Sequence, residues 1–191
     1  RLGLAENTLV IYTSDHGDLC GDHGMMDKHF IMYDSVVRVP LMARWPGRIA
    51  AGRTCDAFVS HAIDMAATFC EVAGAAMPGT FQGISLLPLF EGAQDNGRAD
   101  IYSQYMGNQF GLWTQRMVRD RRWKYVWNAT GEDELYDVAA DPGELCNRAA
   151  DAACRPELAR LRRRLVEWMD AVKDPIGNVW IRRQLTENLK V

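Results

Sequence analysis

Thr8-Leu9-Val10-Ile11-Tyr12-Thr13-Ser14-Asp15-His16-Gly17-Asp18 decides how this chain is read. Its first six residues form a continuous apolar, β-branched run, the pattern of a strand buried on both faces. The run gives way abruptly to Asp, His and Gly, and Gly21-Asp22-His23-Gly24 and Lys28-His29 follow. Asp15, His16, Asp18, Asp22, His23, Asp27 and His29 thereby crowd into fifteen residues. In α/β sheets ligands bind in the crevice beyond the carboxyl ends of strands. These side chains are therefore placed for binding rather than for a core.

Working outward, a Gly-rich loop covers residues 14–28, and residues 29–37 predict a short helix stopped before Pro40. Leu41 to Trp45 reads as a second buried strand, ended by Pro46-Gly47. Ile63 to Ala73 has helical spacing with Gly74 as its C-cap, and Ser85 opens a short helix to Phe90. Beyond about residue 98 the texture changes. Asp100 to Met106, Gln115 to Asp120, Trp123 to Asn128 and Glu134 to Asp137 predict a closely spaced antiparallel meander. Pro156 to Val172 is an amphipathic helix with Leu158, Leu161, Leu165, Trp168 and Met169 on one stripe. The expected class is α/β: buried strands of a mixed sheet flanked by helices, then a small antiparallel sheet with a packed helix. The expected divisions are 1–97, 98–174 and a tail, 175–191. Composition does not decide whether that tail docks, and Trp180 and Ile181 raise the possibility of a homo-oligomer formed through it.

With 191 residues, 48% hydrophobic and 25% charged, the chain can bury a sizeable core. A net charge of −3 gives no electrostatic case for nucleic acid. The one basic cluster, Arg160 with Arg162, Arg163 and Arg164, is expected to be a solvated helix face. No apolar run approaches the roughly 20 residues that cross a bilayer, so no membrane partner is expected. Cys20, Cys55, Cys70, Cys146 and Cys154 contain no C-x-x-C pair and are odd in number. They read as free thiols of a reducing, cytoplasmic compartment, with the periplasm as the other option. Arg1-Leu2-Gly3-Leu4 resembles the last turn of a helix and leads directly into a strand, as in a chain entered mid-domain.

The chemistry centres on Asp15 and His16. Successive side chains on a strand point to opposite faces, so these two share one ion only where the strand breaks, and Gly17 permits the break. A carboxylate beside an imidazole suits a divalent metal; the imidazole favours manganese or zinc, whereas calcium prefers oxygen donors. The alternative is a polar turn in which Asp15 caps a backbone amide and His16 faces solvent. EF-hand spacing is not met. Lys28, twelve positions after His16, is a point charge suited to a tetrahedral oxyanion, or a plain surface lysine. His23 and His29 stand between second ligand, proton donor to a leaving group and loop polarity. His61 is expected to be structural, and Arg38 either orients a carboxylate or solvates a loop end. Tyr105, Phe110 and Trp113 lie in a Gly-spaced segment and line either a pocket or a core.

Residues 8–47 resemble the sulfatase branch of the alkaline-phosphatase-like superfamily. The shared pattern is Thr8, Val10, Thr13 to Asp18, Gly21, Asp22, Gly24, Lys28, Tyr33-Asp34, Arg38 to Leu41 and Pro46-Gly47. Val59-Ser60, Ile63-Asp64, Thr68, Gln82-Gly83 and Ser85-Leu86 are similar to the next helix and loop of that family. Lys124-Tyr125, Glu134 to Asp137, Asp141-Pro142, Glu144 and Asn147 are similar to its carboxy-terminal subdomain. The resemblance implies an alkaline-phosphatase-like mixed sheet sandwiched by helices. It implies Asp15 and His16 as ligands of one divalent cation, usually calcium, and Lys28 as the holder of sulfate oxygens. Lys28 and His23 are the candidate catalytic residues, and a small-molecule sulfate ester is the candidate substrate.

The family mechanism begins from a formylglycine made in a C-x-P-x-R or S-x-P-x-R motif, and this sequence contains neither. The amino-terminal metal aspartates that the resemblance implies are absent too. The expectation is a carboxy-terminal portion of a longer sulfatase that does not turn over a sulfate ester by itself. The competing readings are a phosphonate or phosphate monoester hydrolase of the same superfamily and a non-catalytic interaction module.

Overall fold

The computed structural model describes residues 2–107, 114–187 and 189. In chain order its regular elements are β1 (Val10–Thr13), α1 (Asp34–Val37), β2 (Leu41–Arg44), α2 (His61–Val72), α3 (Leu87–Glu91), β3 (Ile101–Met106), β4 (Thr114–Arg119), β5 (Trp123–Asn128), β6 (Glu134–Asp137), α4 (Arg155–Ala171) and α5 (Val179–Thr186). They divide into two compact units, one of residues 1–17 and 38–99, the other of residues 18–37 and 100–191. Residues 18–37, expected with the first segment, thus group with the second unit.

In the first unit β1 and β2 form an antiparallel ribbon, with Val10 opposite Arg44 and Thr13 opposite Leu41. The expectation of strands buried on both faces is not met, since Val10, Tyr12 and Met42 are exposed. The reason is geometric: Tyr12 pairs with Met42, so these side chains share one face of a two-stranded ribbon that no third strand or helix covers among the described residues. In the same unit, Asp64 of α2 is fully buried. It accepts the backbone N–H groups of Ser60 at 2.7 Å and Ile84 at 3.0 Å, and both terminal nitrogens of Arg98 at 2.5 and 2.8 Å. Thr68 Oγ one turn on accepts the Leu86 N–H at 2.8 Å. Those bonds tie the 83–86 segment to α2. Gly83 is required there, because a Cβ would sit 2.1 Å from the Ile63 carbonyl oxygen.

The second unit is the predicted meander, with strand order β3-β4-β5-β6, all antiparallel. Alternation puts Val118, Trp123, Tyr125, Trp127 and Leu135 on one face, where they meet Leu158, Leu161, Leu165 and Met169 of α4 and Leu185 of α5. The tail therefore docks through α5, whose start is capped by the Asn178 side chain, while Trp180 stays 70% exposed. The opposite face of β5 and β6 carries Lys124, Val126 and Tyr136, and it is covered by the segment around Met32, Tyr33 and Asp34. α1 is one turn, shorter than the predicted 29–37: His29 adopts a left-handed φ of 45° that a helix cannot contain, and residues 31–33 are irregular chain with Met32 packed on the sheet.

The arginine cluster departs from expectation. Arg162 is buried, bonding Asp133 at 2.7 Å and the Tyr125 hydroxyl at 3.2 Å, while Arg160 pairs with Asp120 and Arg164 with Asp100. Arg162 lies four residues after Leu158 and three before Leu165, on the core stripe itself. Its burial is tolerated because a carboxylate and a hydroxyl replace the water it loses. Arg116 makes a comparable fully buried pair with Asp174.

Candidate active site

β1 ends at Thr13, and the backbone then turns through Ser14, whose hydroxyl donates to the His16 carbonyl at 2.7 Å. That turn brings Asp15 and His16 to the same side: Oδ2 of Asp15 lies 3.5 Å from Nε2 of His16. His16 Nδ1 is 2.7 Å from the Gly17 carbonyl oxygen. A carbonyl only accepts, so Nδ1 carries a proton, and Nε2 is the ring nitrogen on the Asp15 side. This is the arrangement in which backbone hydrogen bonding selects the metal-binding nitrogen. Donors 3.5 Å apart are close enough for one cation at about 2.1–2.5 Å from each. The backbone N–H of His16, then that of Asp15, then the imidazole, hold the Asp15 carboxyl below its ordinary range, keeping it an anion. The pair fits a divalent cation as two ligands of a larger set. Among the described residues no three His, Cys, Asp or Glu side chains converge to complete one.

Lys28 and His23 belong to the second unit, in a closed loop. Leu19 N–H donates to the Asp27 carbonyl at 3.1 Å, and Gly21 N–H to the Met25 carbonyl at 2.8 Å. Buried Leu19 anchors the loop base. Cys20, His23, Asp27 and His29 all adopt positive φ without being glycine. Lys28 is exposed, between two of them. The His23 ring stacks on Tyr33, with centroids 3.7 Å apart and planes 6° from parallel. Its Nε2 is buried, with no hydrogen-bond partner among the described residues, and lies 4.0 Å from Asp22 Oδ1. Tyr33 in turn meets Tyr136, whose hydroxyl donates to Glu134 at 3.0 Å. Burial first, then neighbouring carboxylates, push the Tyr33 phenol up, so it stays neutral. His29 is exposed in the same loop, and His61 opens α2.

Tyr105 packs with Phe30 at 5.0 Å and against the Met32, Met117 and Val126 cluster, which answers for it as a core residue. Phe110 and Trp113 lie outside the described residues. Residues missed as a group are Asp34, Lys124 and Glu144. Each was visible as part of the family pattern, and the clue was a lysine at the centre of Trp123-Lys124-Tyr125-Val126-Trp127, an otherwise apolar strand. Lys124 is fully buried, 2.7 Å from Asp34 and paired with Glu144. Burial raises the Glu144 carboxyl above its ordinary range against the pull of the Lys124 ammonium.

The model of the N-sulphoglucosamine sulphohydrolase C-terminal domain matches residues 21–171. The N-acetylglucosamine-6-O-sulfatase of Bacteroides thetaiotaomicron is 35% identical over 185 residues, which is 91% of this chain and 32% of that enzyme. A solved protein in complex with its substrate, D-glucosamine-2-N,6-O-disulfate, superposes with a TM-score of 0.83 at 33% identity, over 92% of this chain and 37% of that one. The phosphonate monoester hydrolase of Agrobacterium radiobacter gives 0.76 at 32% identity, over 91% and 36%. The chain spans about a third of the length of the relatives it matches.

Proposed function

The chain belongs to the sulfatase family, matching its C-terminal domain, and on that premise we propose that it serves a sulfuric ester hydrolase acting on small sulfated molecules. The observation that carries this reading is the Asp15–His16 pair at the end of β1, with its imidazole Nδ1 held by the Gly17 carbonyl. Asp15 and His16 would hold a divalent cation, and the proposed ion is Ca²⁺. Bound there, such an ion supplies Lewis-acid stabilisation of charge on the transferring group. Lys28 binds sulfate oxygens as a point charge, a role that its exposed place between two fixed backbone residues allows. His23 is the proposed proton donor to the leaving group. A sulfated saccharide is the substrate class favoured by the relative acting on N-acetylglucosamine 6-O-sulfate and by the structural neighbour holding a disulfated glucosamine.

The test is elemental mass spectrometry on the complete polypeptide and its Asp15→Ala variant, paired with hydrolysis of an aryl sulfate. One equivalent of calcium, lost in the variant together with activity, supports the reading. Equal metal content in both proteins overturns it, and manganese or zinc in place of calcium overturns the choice of ion. A phosphonate monoester is the second substrate to assay, because the Agrobacterium enzyme shares this fold at 32% identity. Preferential turnover of the phosphonate would replace the sulfatase reading with its neighbour.

A further inference from the structure

Lys28 is flanked by Asp27 at φ 68° and His29 at φ 45°. Neither is glycine, so the surrounding structure has to hold the chain in a conformation it disfavours. On the amino-terminal side the Asp27 carbonyl is bonded by the Leu19 N–H, and its Oδ1 accepts the Lys28 N–H at 2.6 Å. On the carboxy-terminal side the hold comes from the sheet. Phe30 stacks on Tyr105 of β3, and Met32 is buried against Met117 of β4 and Val126 of β5. The Met32 carbonyl accepts from Lys124 Nζ at 2.8 Å. The same ammonium reaches Asp34 at 2.7 Å and Glu144, and Glu144 also accepts the Asp34 backbone N–H at 2.6 Å.

An ammonium has three protons, and here three acceptors lie around it: a backbone carbonyl at residue 32 and carboxylates at residues 34 and 144. An apolar side chain would fill the same place in β5 without the desolvation penalty of a buried charge. What it would not do is grip a carbonyl four residues beyond Lys28. We propose that Lys124 is a positioning residue for Lys28, clamping residues 32–34 onto the sheet so that the strained lysine-bearing loop keeps one geometry. This rests on the reading of Lys28 as the group that binds the sulfate oxygens.

The experiment compares the complete polypeptide with Lys124→Met, Lys28→Ala and the double variant, measuring kcat/KM on an aryl sulfate and a phosphonate monoester. Amide hydrogen exchange is followed in parallel at Leu19, Gly21 and Asp22, against the amides of β4 and β5. The expected result is a loss of about tenfold or more in Lys124→Met, with the double variant within about twofold of Lys28→Ala alone. Exchange should quicken in the loop and stay unchanged in β4 and β5. Where Lys124→Met does not fold, Glu144→Gln replaces it, with the same non-additivity expected at a smaller loss. Losses that multiply in the double variant, or loop exchange equal to wild type, overturn the proposal. If wild type hydrolyses neither ester, the sulfatase reading falls, and the exchange comparison still decides whether Lys124 holds the loop.

Discussion

The roles proposed for His23, proton donor, and Lys28, charge clamp, are different jobs, and single substitutions in the 18–37 loop separate them. Removing the ammonium in Lys28→Ala should reduce kcat/KM by about 10²–10³, the usual effect of losing one group that meets developing charge. His23→Gln should behave selectively. Esters with poor leaving groups, such as sugar sulfates, should slow by about 10²-fold, whereas a nitrophenyl sulfate needs no protonation and should change little. Equal losses on both esters would remove His23 from that role. The motif from Thr13 to Lys28 was legible because Asp, His and Gly directly after an apolar run have few structural uses. Arg162, Arg116 and Lys124 were not legible in the same way. Each is a cation inside the core whose partners lie far off in sequence: Asp133 is 29 residues from Arg162, Asp174 is 58 from Arg116, and the Met32 carbonyl that Lys124 meets, beside Asp34 and Glu144, is 92 away. Spacing along a helix or strand carries no record of such pairings.

Among the elements, the meander and α4 follow directly from local pattern, since a period of two and a stripe of leucines survive any context. The β1–β2 ribbon kept its place but not its burial, because burial depends on what lies beside a strand rather than on its own residues. Gly83 belongs to this scale. Gly83→Ala forces a methyl group onto the Ile63 carbonyl, and the first unit should lose about 2–3 kcal/mol, read as a lower thermal midpoint. The α4–α5 junction should be acid-sensitive. Burial pushes the Asp174 carboxyl up, but the Arg116 guanidinium and the Ile176 N–H outweigh it and hold it below the ordinary range. A depressed folded-state pKa contributes stability above the unfolded value of about 3.9 and loses it as pH falls through the folded one. The thermal midpoint should therefore drop steeply below about pH 4 in wild type and less steeply in Asp174→Asn, whose midpoint near neutral pH is already lower.

For the whole molecule, the 191 residues hold the two proposed metal donors, Asp15 and His16, and the proposed anion-binding Lys28, with no C-x-P-x-R or S-x-P-x-R motif. Incubated alone with an aryl sulfate and calcium, the chain should give no turnover above the uncatalysed rate, and measurable hydrolysis would refute the assignment of roles. Truncation after Asp174 removes Leu185 from the core under α4 and should destabilise the second unit by about 2–5 kcal/mol.

The excursion of residues 18–37 out of the first unit also bears on synthesis. A ribosome releases that segment roughly sixty to a hundred residues before the strands it rests on, at about 5–20 residues per second. For several seconds the nascent chain therefore carries Phe30 and Met32 without the Tyr105, Met117 and Val126 surface they lie on. Closing β1 on β2 in the meantime bridges a gap whose entropy grows only slowly with its length. The lysine loop is thus among the last parts to acquire its shape, and variants that slow completion of the meander should give protein that is made in full yet matures late.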